Sequence, residues 1–205
     1  MQTKHTTIAA LAFASLLTGM TAASAQMGGG GMDPGSPTHS MRDDRGAMGN
    51  PALGHADKKF LTEAAQGGMA EVQLGQLAAS NASDPDVKAF GQRMVDDHSK
   101  ANHQLKELAM SKGVALPPEV DRSQKRDYDK LSRLSGPEFD RAYMKMMVSD
   151  HKKDVEEFAK EARSARDTDV KAFASSTLPT LQDHLKMAHD TEGKVGHVRS
   201  ASLHR

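Results

Sequence analysis

The chain has no cysteine among its 205 residues. Disulfides, thiolate metal sites and cysteine nucleophiles are therefore excluded, which leaves His, Asp, Glu and Met as metal ligands. Aromatic residues make up 4% of the chain and tryptophan is missing, too little to build a base-stacking platform. The 27 Lys and Arg residues are balanced by 27 Asp and Glu, so no net field draws in nucleic acid. The alternation that marks half-buried strands is nearly missing. Long apolar runs are scarce too: the clearest extends from Ile8 to about Met20, short of the roughly 20 residues a membrane helix needs.

That run is an address. Lys4 and His5 precede it, and Ala23-Ser24-Ala25 supplies a small-x-small cleavage site. The pattern is that of a secretory leader over residues 1–25. The expected mature protein is exported, most simply to a bacterial periplasm, with no transmembrane segment and no cysteine to carry a lipid. Residues 26–56 are rich in Gly and Pro and read as a disordered linker. Met27, Met32, His39, Met41, Met48 and His55 lie in it. Thioether and imidazole groups suit copper, but incidental methionines in a linker explain them as well.

What the sequence has in abundance is helical periodicity. Phe60, Ala64, Gly67, Glu71, Leu74 and Ala78 recur at steps of three and four over about 57–80. A second helix is expected over 85–111, with Asp84 as N-cap and Pro85 in its first turn. Its stripe is Val87, Phe90, Met94, His98, Ala101, Leu105 and Leu108. A short, more exposed helix is expected within 121–134, anchored by Leu131 and Leu134. Ser135-Gly-Pro-Glu138 fits a capping box opening a third long helix to about Ser164. Asp167 caps a fourth, reaching about Glu192, and 193–205 reads as a disordered tail. Asp84–Phe90 (DPDVKAF) and Asp167–Phe173 (DTDVKAF) differ at one position. The fold class expected is therefore all-α: a four-helix bundle of two related hairpins, over residues 57–192, with a short helix in the crossover.

Polar residues interrupt the stripes. Asp-His occurs three times, as Asp97-His98, Asp150-His151 and Asp183-His184, each with a lysine two residues on (Lys100, Lys153, Lys186). Glu71 and His98 fall near the centres of their apolar faces, where a lone carboxylate is costly unless paired or bound to a cation. His151 sits to one side of its stripe. His184 lies on a flank, five residues beyond Pro179, which can kink the helix. At ~1.5 Å per residue, all four fall within about one turn of a shared depth. Glu71, His98, His151 and His184 are thus candidate ligands of one transition metal: zinc, copper or iron. A metal-free network of Glu and His hydrogen bonds fits equally well, and scattering of the four over different layers stays open. Adjacent helix residues point about 100° apart, so each Asp is better placed to serve another helix's His than its own. Gly67 and Gly68, one turn before Glu71, either admit a neighbouring helix or leave space beside the carboxylate. Met94, Met144, Met146, Met147 and Met187 read as core filler before copper ligands.

Several stretches together resemble a bacterial family called domain of unknown function 4142. They are Gly68–Ala78 (GMAEVQLGQLA), Arg93–His98 (RMVDDH), Phe139–Tyr143 (FDRAY) and Thr177–Leu185 (TLPTLQDHL). The resemblance covers about residues 57–192. It implies an exported protein with a ferritin-like helical bundle, often labelled a membrane or outer membrane protein, and implies no established activity. Glu71, His98, His151 and His184 fall at positions characteristic of that family. A di-iron centre is not expected, because such bundles use Glu-x-x-His. The residues three before the histidines are Val95, Val148 and Leu181. No nucleophile–base pair or phosphate loop is visible, which points away from an enzyme. Metal handling or stress protection is one expectation. A metal-free envelope-stress module that binds a protein partner or another copy of itself is the other.

Overall fold

Five helices account for nearly all of residues 53–202, the part of the chain that the computed structural model describes, with side chains described to residue 196. They are α1 (His55–Asn81), α2 (Pro85–Ser111), α3 (Arg122–Leu131), α4 (Gly136–Ser164) and α5 (Thr168–Ser202). No strand occurs among the described residues. No helix among them is long and apolar enough to cross a membrane. The leader and all but the end of the linker lie outside the described residues. His55, read above as linker, is the first residue of α1.

The helix starts follow from local chemistry. The Asp84 carboxylate accepts hydrogen bonds from the backbone N–H of Asp86 and Val87. Asp167 accepts from Asp169 and Val170 in the same way, so the two halves of the sequence repeat are equivalent caps. A capping box does form, but on α3: Asp121 accepts from Ser123 and Gln124, and the Gln124 side chain accepts from the Asp121 N–H. The box expected at Ser135 does not form. Gly136 adopts a left-handed φ of 60°, which separates Ser135 from the first regular turn.

α1 packs along α2 and α4 along α5, giving two hairpins that meet through α2 against α5 and α1 against α4. Two reciprocal contacts lock them. Asp57, on the first turn of α1, accepts from the N–H of Arg166 and Asp167 in the α4–α5 turn. Asp140, near the start of α4, accepts from the N–H of Ser83 and Asp84 in the α1–α2 turn. Both aspartates are buried, and each satisfies backbone donors that a tight turn would otherwise leave unpaired. Where α1 crosses α2 the backbones touch. A Cβ on Gly75 would stand 2.5 Å from the Gly91 carbonyl oxygen. The backbones approach at Gly75; Gly68 admits the Asn102 side chain of α2, whose Oδ1 a Cβ there would overlap, and a Cβ on Gly67 would meet nothing within 4 Å.

The core falls into two apolar clusters, one at each end of the bundle. One contains Leu74, Val87, Phe90, Met94, Phe139, Tyr143, Met147 and Ala188. The other contains Phe60, Leu61, Leu105, Phe158, Val170, Phe173 and Leu181. Met94, Met144 and Met147 are fully buried in the first and Met146 packs partly buried against it, as expected of packing residues, whereas Met187 is exposed. α5 departs from the expected end at Glu192 and runs to Ser202. Val195 is buried against the first cluster and Lys194 reaches Asp86 on α2, so this extra length has something to pack on.

Candidate metal centre

The polar layer is the seam between the two apolar clusters. On α1, Glu71 follows Ala65 of one cluster and precedes Leu74 of the other. The same change of cluster occurs across His98 between Met94 and Leu105, across His151 between Met147 and Phe158, and across His184 between Leu181 and Ala188. All four polar residues are buried. Pro179 lies exposed within α5, and His184 still reaches the core with 1% of its surface accessible.

Three of the four candidates converge on one point. The ring centroids of His98, His151 and His184 form a nearly equilateral triangle with sides of 5.6, 5.4 and 5.3 Å. One ligand nitrogen of each lies within 4.8 Å of the others. At the usual metal–nitrogen distance of about 2.0–2.1 Å, three imidazoles on one ion place their ring centres roughly 5–5.5 Å apart. The ring spacing suits a shared ion.

The outer hydrogen bonds fix which nitrogen faces inward. His151 Nδ1 lies 3.0 Å from the Met147 carbonyl oxygen; a carbonyl can only accept, so Nδ1 carries the proton and Nε2 the lone pair. His184 Nε2 lies 2.8 Å from Asp97 Oδ2; it donates to the carboxylate and leaves its lone pair on Nδ1. His151 Nε2, His184 Nδ1 and His98 Nε2 are buried with no hydrogen-bond partner among the described residues. Buried polar atoms are almost always paired, with protein, water or a bound ligand, so three such nitrogens in one layer mark it as a candidate binding site.

The aspartates of the three Asp-His pairs divide. Asp97 on α2 serves His184 on α5, a neighbouring helix's histidine, as the 100° offset of adjacent residues favours. Asp150 pairs with Lys153, and Asp183 is exposed. Lys100, Lys153 and Lys186 are surface charges.

Glu71 stands apart from the histidine triangle. Its Oε1 lies 3.9 Å from His151 Nδ1, and Oε2 has no partner among the described residues. Its ligand-distance neighbours are His151 and Asp154. The sequence pattern therefore divides into two groups that share His151: the histidine triangle, and a carboxylate group that includes a residue not singled out above. Asp154 sits three residues after His151, on the same face of α4. A signal for it existed. Asp167 stands 83 positions after Asp84 and Asp140 stands 83 after Asp57; the same displacement carries Glu71 onto Asp154. The two carboxylates occupy equivalent places in the two hairpins.

Burial sets the electrostatics. It pushes His98 down to about 3, reinforced by the charges His151 and His184 would carry, with Asp97 opposing. Burial also lowers His151 and His184, against the pull of Asp154 on the first and Asp97 on the second. All three imidazoles are neutral at neutral pH and keep lone pairs for a metal. Burial raises Glu71 to about 8, with Asp150 adding to it. It raises Asp154 to about 7, with Glu71 adding and His151 opposing.

These features define an all-helical bundle with a buried histidine and carboxylate layer. The chain belongs to the family described as domain of unknown function (DUF4142), whose sequence profile matches residues 43–191. No curated protein matches it in sequence. Two solved structures share the fold. One is the DUF305 fragment from Deinococcus radiodurans, 15% identical, covering 72% of this chain and 99% of that one with a TM-score of 0.61. The other is CopM in the Cu(II)-bound form, 12% identical, covering 67% and 96% with a TM-score of 0.56.

Proposed function

We propose that this protein is an exported, ferritin-like four-helix bundle that binds one transition-metal ion in its core. His98, His151 and His184 are the nitrogen ligands; Glu71 is the carboxylate partner, with Asp154 beside it. The observation that carries the reading is the set of three buried, unpartnered imidazole nitrogens from three helices. For two of them the opposite ring nitrogen is already hydrogen-bonded to a carbonyl or a carboxylate. That outer pattern is how metal-binding histidines are oriented. A divalent ion on three neutral imidazoles brings two positive charges into a buried layer, and carboxyl groups beside its ligands, Asp97 on His184 and Glu71 and Asp154 by His151, are placed to balance them. Imidazole and carboxylate donors suit zinc, copper or iron. A related fold holds Cu(II) in CopM; at that identity the likeness supports the architecture, and the metal assignment here rests on the histidines. The leader-like N-terminus supports export, and metal handling or stress protection in the envelope is the matching role.

The test is metal analysis of untagged, full-length protein purified from the periplasm. About one ion per chain is expected, lost in both His98→Ala and His151→Ala. Substoichiometric metal in the wild type, or metal untouched by both substitutions, sinks the proposal. A form lacking residues 26–52 separates core binding from the Met/His linker.

A second reading, a metal-free interaction module, is favoured by one surface feature. Met110 is 63% exposed at a groove of about 490 Å³ lined by Ala65, Met69, Leu105, Val114 and Leu116. Self-association lost in Met110→Glu, in a protein that carries no metal, would favour it.

A further inference from the structure

A cavity of about 40 Å³ reaches inward from the surface of α1 and α4; Glu63, Gly67, Asp154 and Glu157 line it and His98 is among its walls. Its carboxylates are graded in depth. Glu63 is exposed, Glu157 and Asp154 are half-buried, and His98 is 6% exposed. His98 Nε2 is one of the buried nitrogens with no partner among the described residues. An acidic cluster alone would be an ordinary solvated face. Here it reaches the ring of a buried histidine whose Nε2 has no partner among the described residues.

We propose that this cavity is the port through which a metal cation passes between solvent and the three-histidine site, with Glu63, Glu157 and Asp154 as successive carboxylate contacts and Gly67 holding it open. The proposal rests on the metal-binding reading above. Size and charge argue for it. A cavity this small holds only a very few waters, so an ion with a full hydration shell does not fit and must shed most of it. Desolvating a cation in a low-dielectric interior is costly unless oxygen ligands replace the lost waters. Carboxylates spaced along the path do that, and their negative field concentrates cations at the mouth. The Lys59–Glu63 pair at the mouth is exposed, so it is weak and readily exchanged for a metal. Gly67 keeps the passage clear: a Cβ there meets nothing within 4 Å.

The test is stopped-flow uptake of Co(II) by full-length, metal-free protein, read by the absorption of nitrogen-coordinated Co(II) against a His98→Ala baseline. Gly67→Leu is expected to slow association and dissociation alike by at least tenfold, with unchanged stoichiometry and spectrum. Glu157→Gln is expected to slow association several-fold and to flatten its dependence on ionic strength. Co(II) bound with wild-type rates in both variants overturns the port and leaves the site standing. No Co(II) bound by the wild type overturns the site and the port together. Should Gly67→Leu fail to fold, Glu157→Gln, which is nearly isosteric, still decides: wild-type rates and salt dependence overturn the port.

Discussion

Asp97 is adjacent to His98 in the chain, yet its carboxylate holds the ring of His184 from across the bundle. This is a positioning contact, and it has a measurable consequence. Asp97→Asn replaces a charged acceptor with an amide and loosens both the tautomer and the orientation of His184. Metal affinity, measured by competition against a chelator, should fall roughly 10–100-fold. Asp183→Asn, equally close to His184 in sequence but exposed, should leave it unchanged. His98 offers the opposite test. Its unpartnered Nε2 disfavours the metal-free fold, so His98→Leu should abolish metal binding while leaving the metal-free protein as stable as wild type or about 1–2 kcal/mol more stable in urea. A merely structural histidine would show a loss instead. At this scale the sequence indicated which residues were anomalous: a carboxylate or imidazole on an apolar stripe is legible one helix at a time. Their grouping was not legible. Whether Glu71 lies nearer His98 or Asp154 depends on the rotation of α1 against α4, which no single stripe specifies.

Helix boundaries were the most legible feature at the scale of elements, because capping is local. Asp84 and Asp167 satisfy their own first-turn N–H groups, and no distant residue is needed. Asp167 has a tertiary role as well: Lys112, at the end of α2, lies 2.7 Å from it and 2.6 Å from Asp169. Burial alone would raise the Asp167 carboxyl, but Lys112 and the N–H groups of Val170 and Asp169 outweigh it and hold the group below its ordinary value. A carboxyl depressed in the folded state contributes stability that is present above the unfolded value near 3.8 and lost as pH falls through the folded one. Asp167→Asn keeps a capping side chain but removes the charge. Its stability should lie below wild type at pH 6, and the gap should close as pH falls through the depressed folded value of Asp167, as urea midpoints would show. Ser135 shows the limit of local reading. Its sequence matches a capping box as well as any, but the left-handed Gly136 redirects the turn.

Among the described residues, two similar hairpins joined through α3 are held by reciprocal aspartates. Asp57 pins one turn and Asp140 the other. The same 83-residue displacement relates Glu71 to Asp154 but not the histidines to one another: His151 corresponds to Gly68, His98 to Leu181 and His184 to Ala101. The carboxylates follow the internal repeat and the histidines break it. One end of the bundle depends on the length of α5. Truncation after Glu192 removes Val195 from the first cluster and should cost about 1.5–3 kcal/mol in urea unfolding. An unchanged midpoint would mean that the last turns of α5 contribute nothing to the fold. The sequence by itself determined the helices, their order, most of their ends and the chemical types of the interior polar residues, because these follow from periodicity, capping and composition. The tertiary structure decided what those residues do. Only packing the hairpins brings three imidazoles into one triangle, hands Asp97 to His184, seats Asp154 beside Glu71 and gives α5 a surface on which to continue. Each of these depends on relative helix rotation and axial offset, which contacts between distant parts of the chain set.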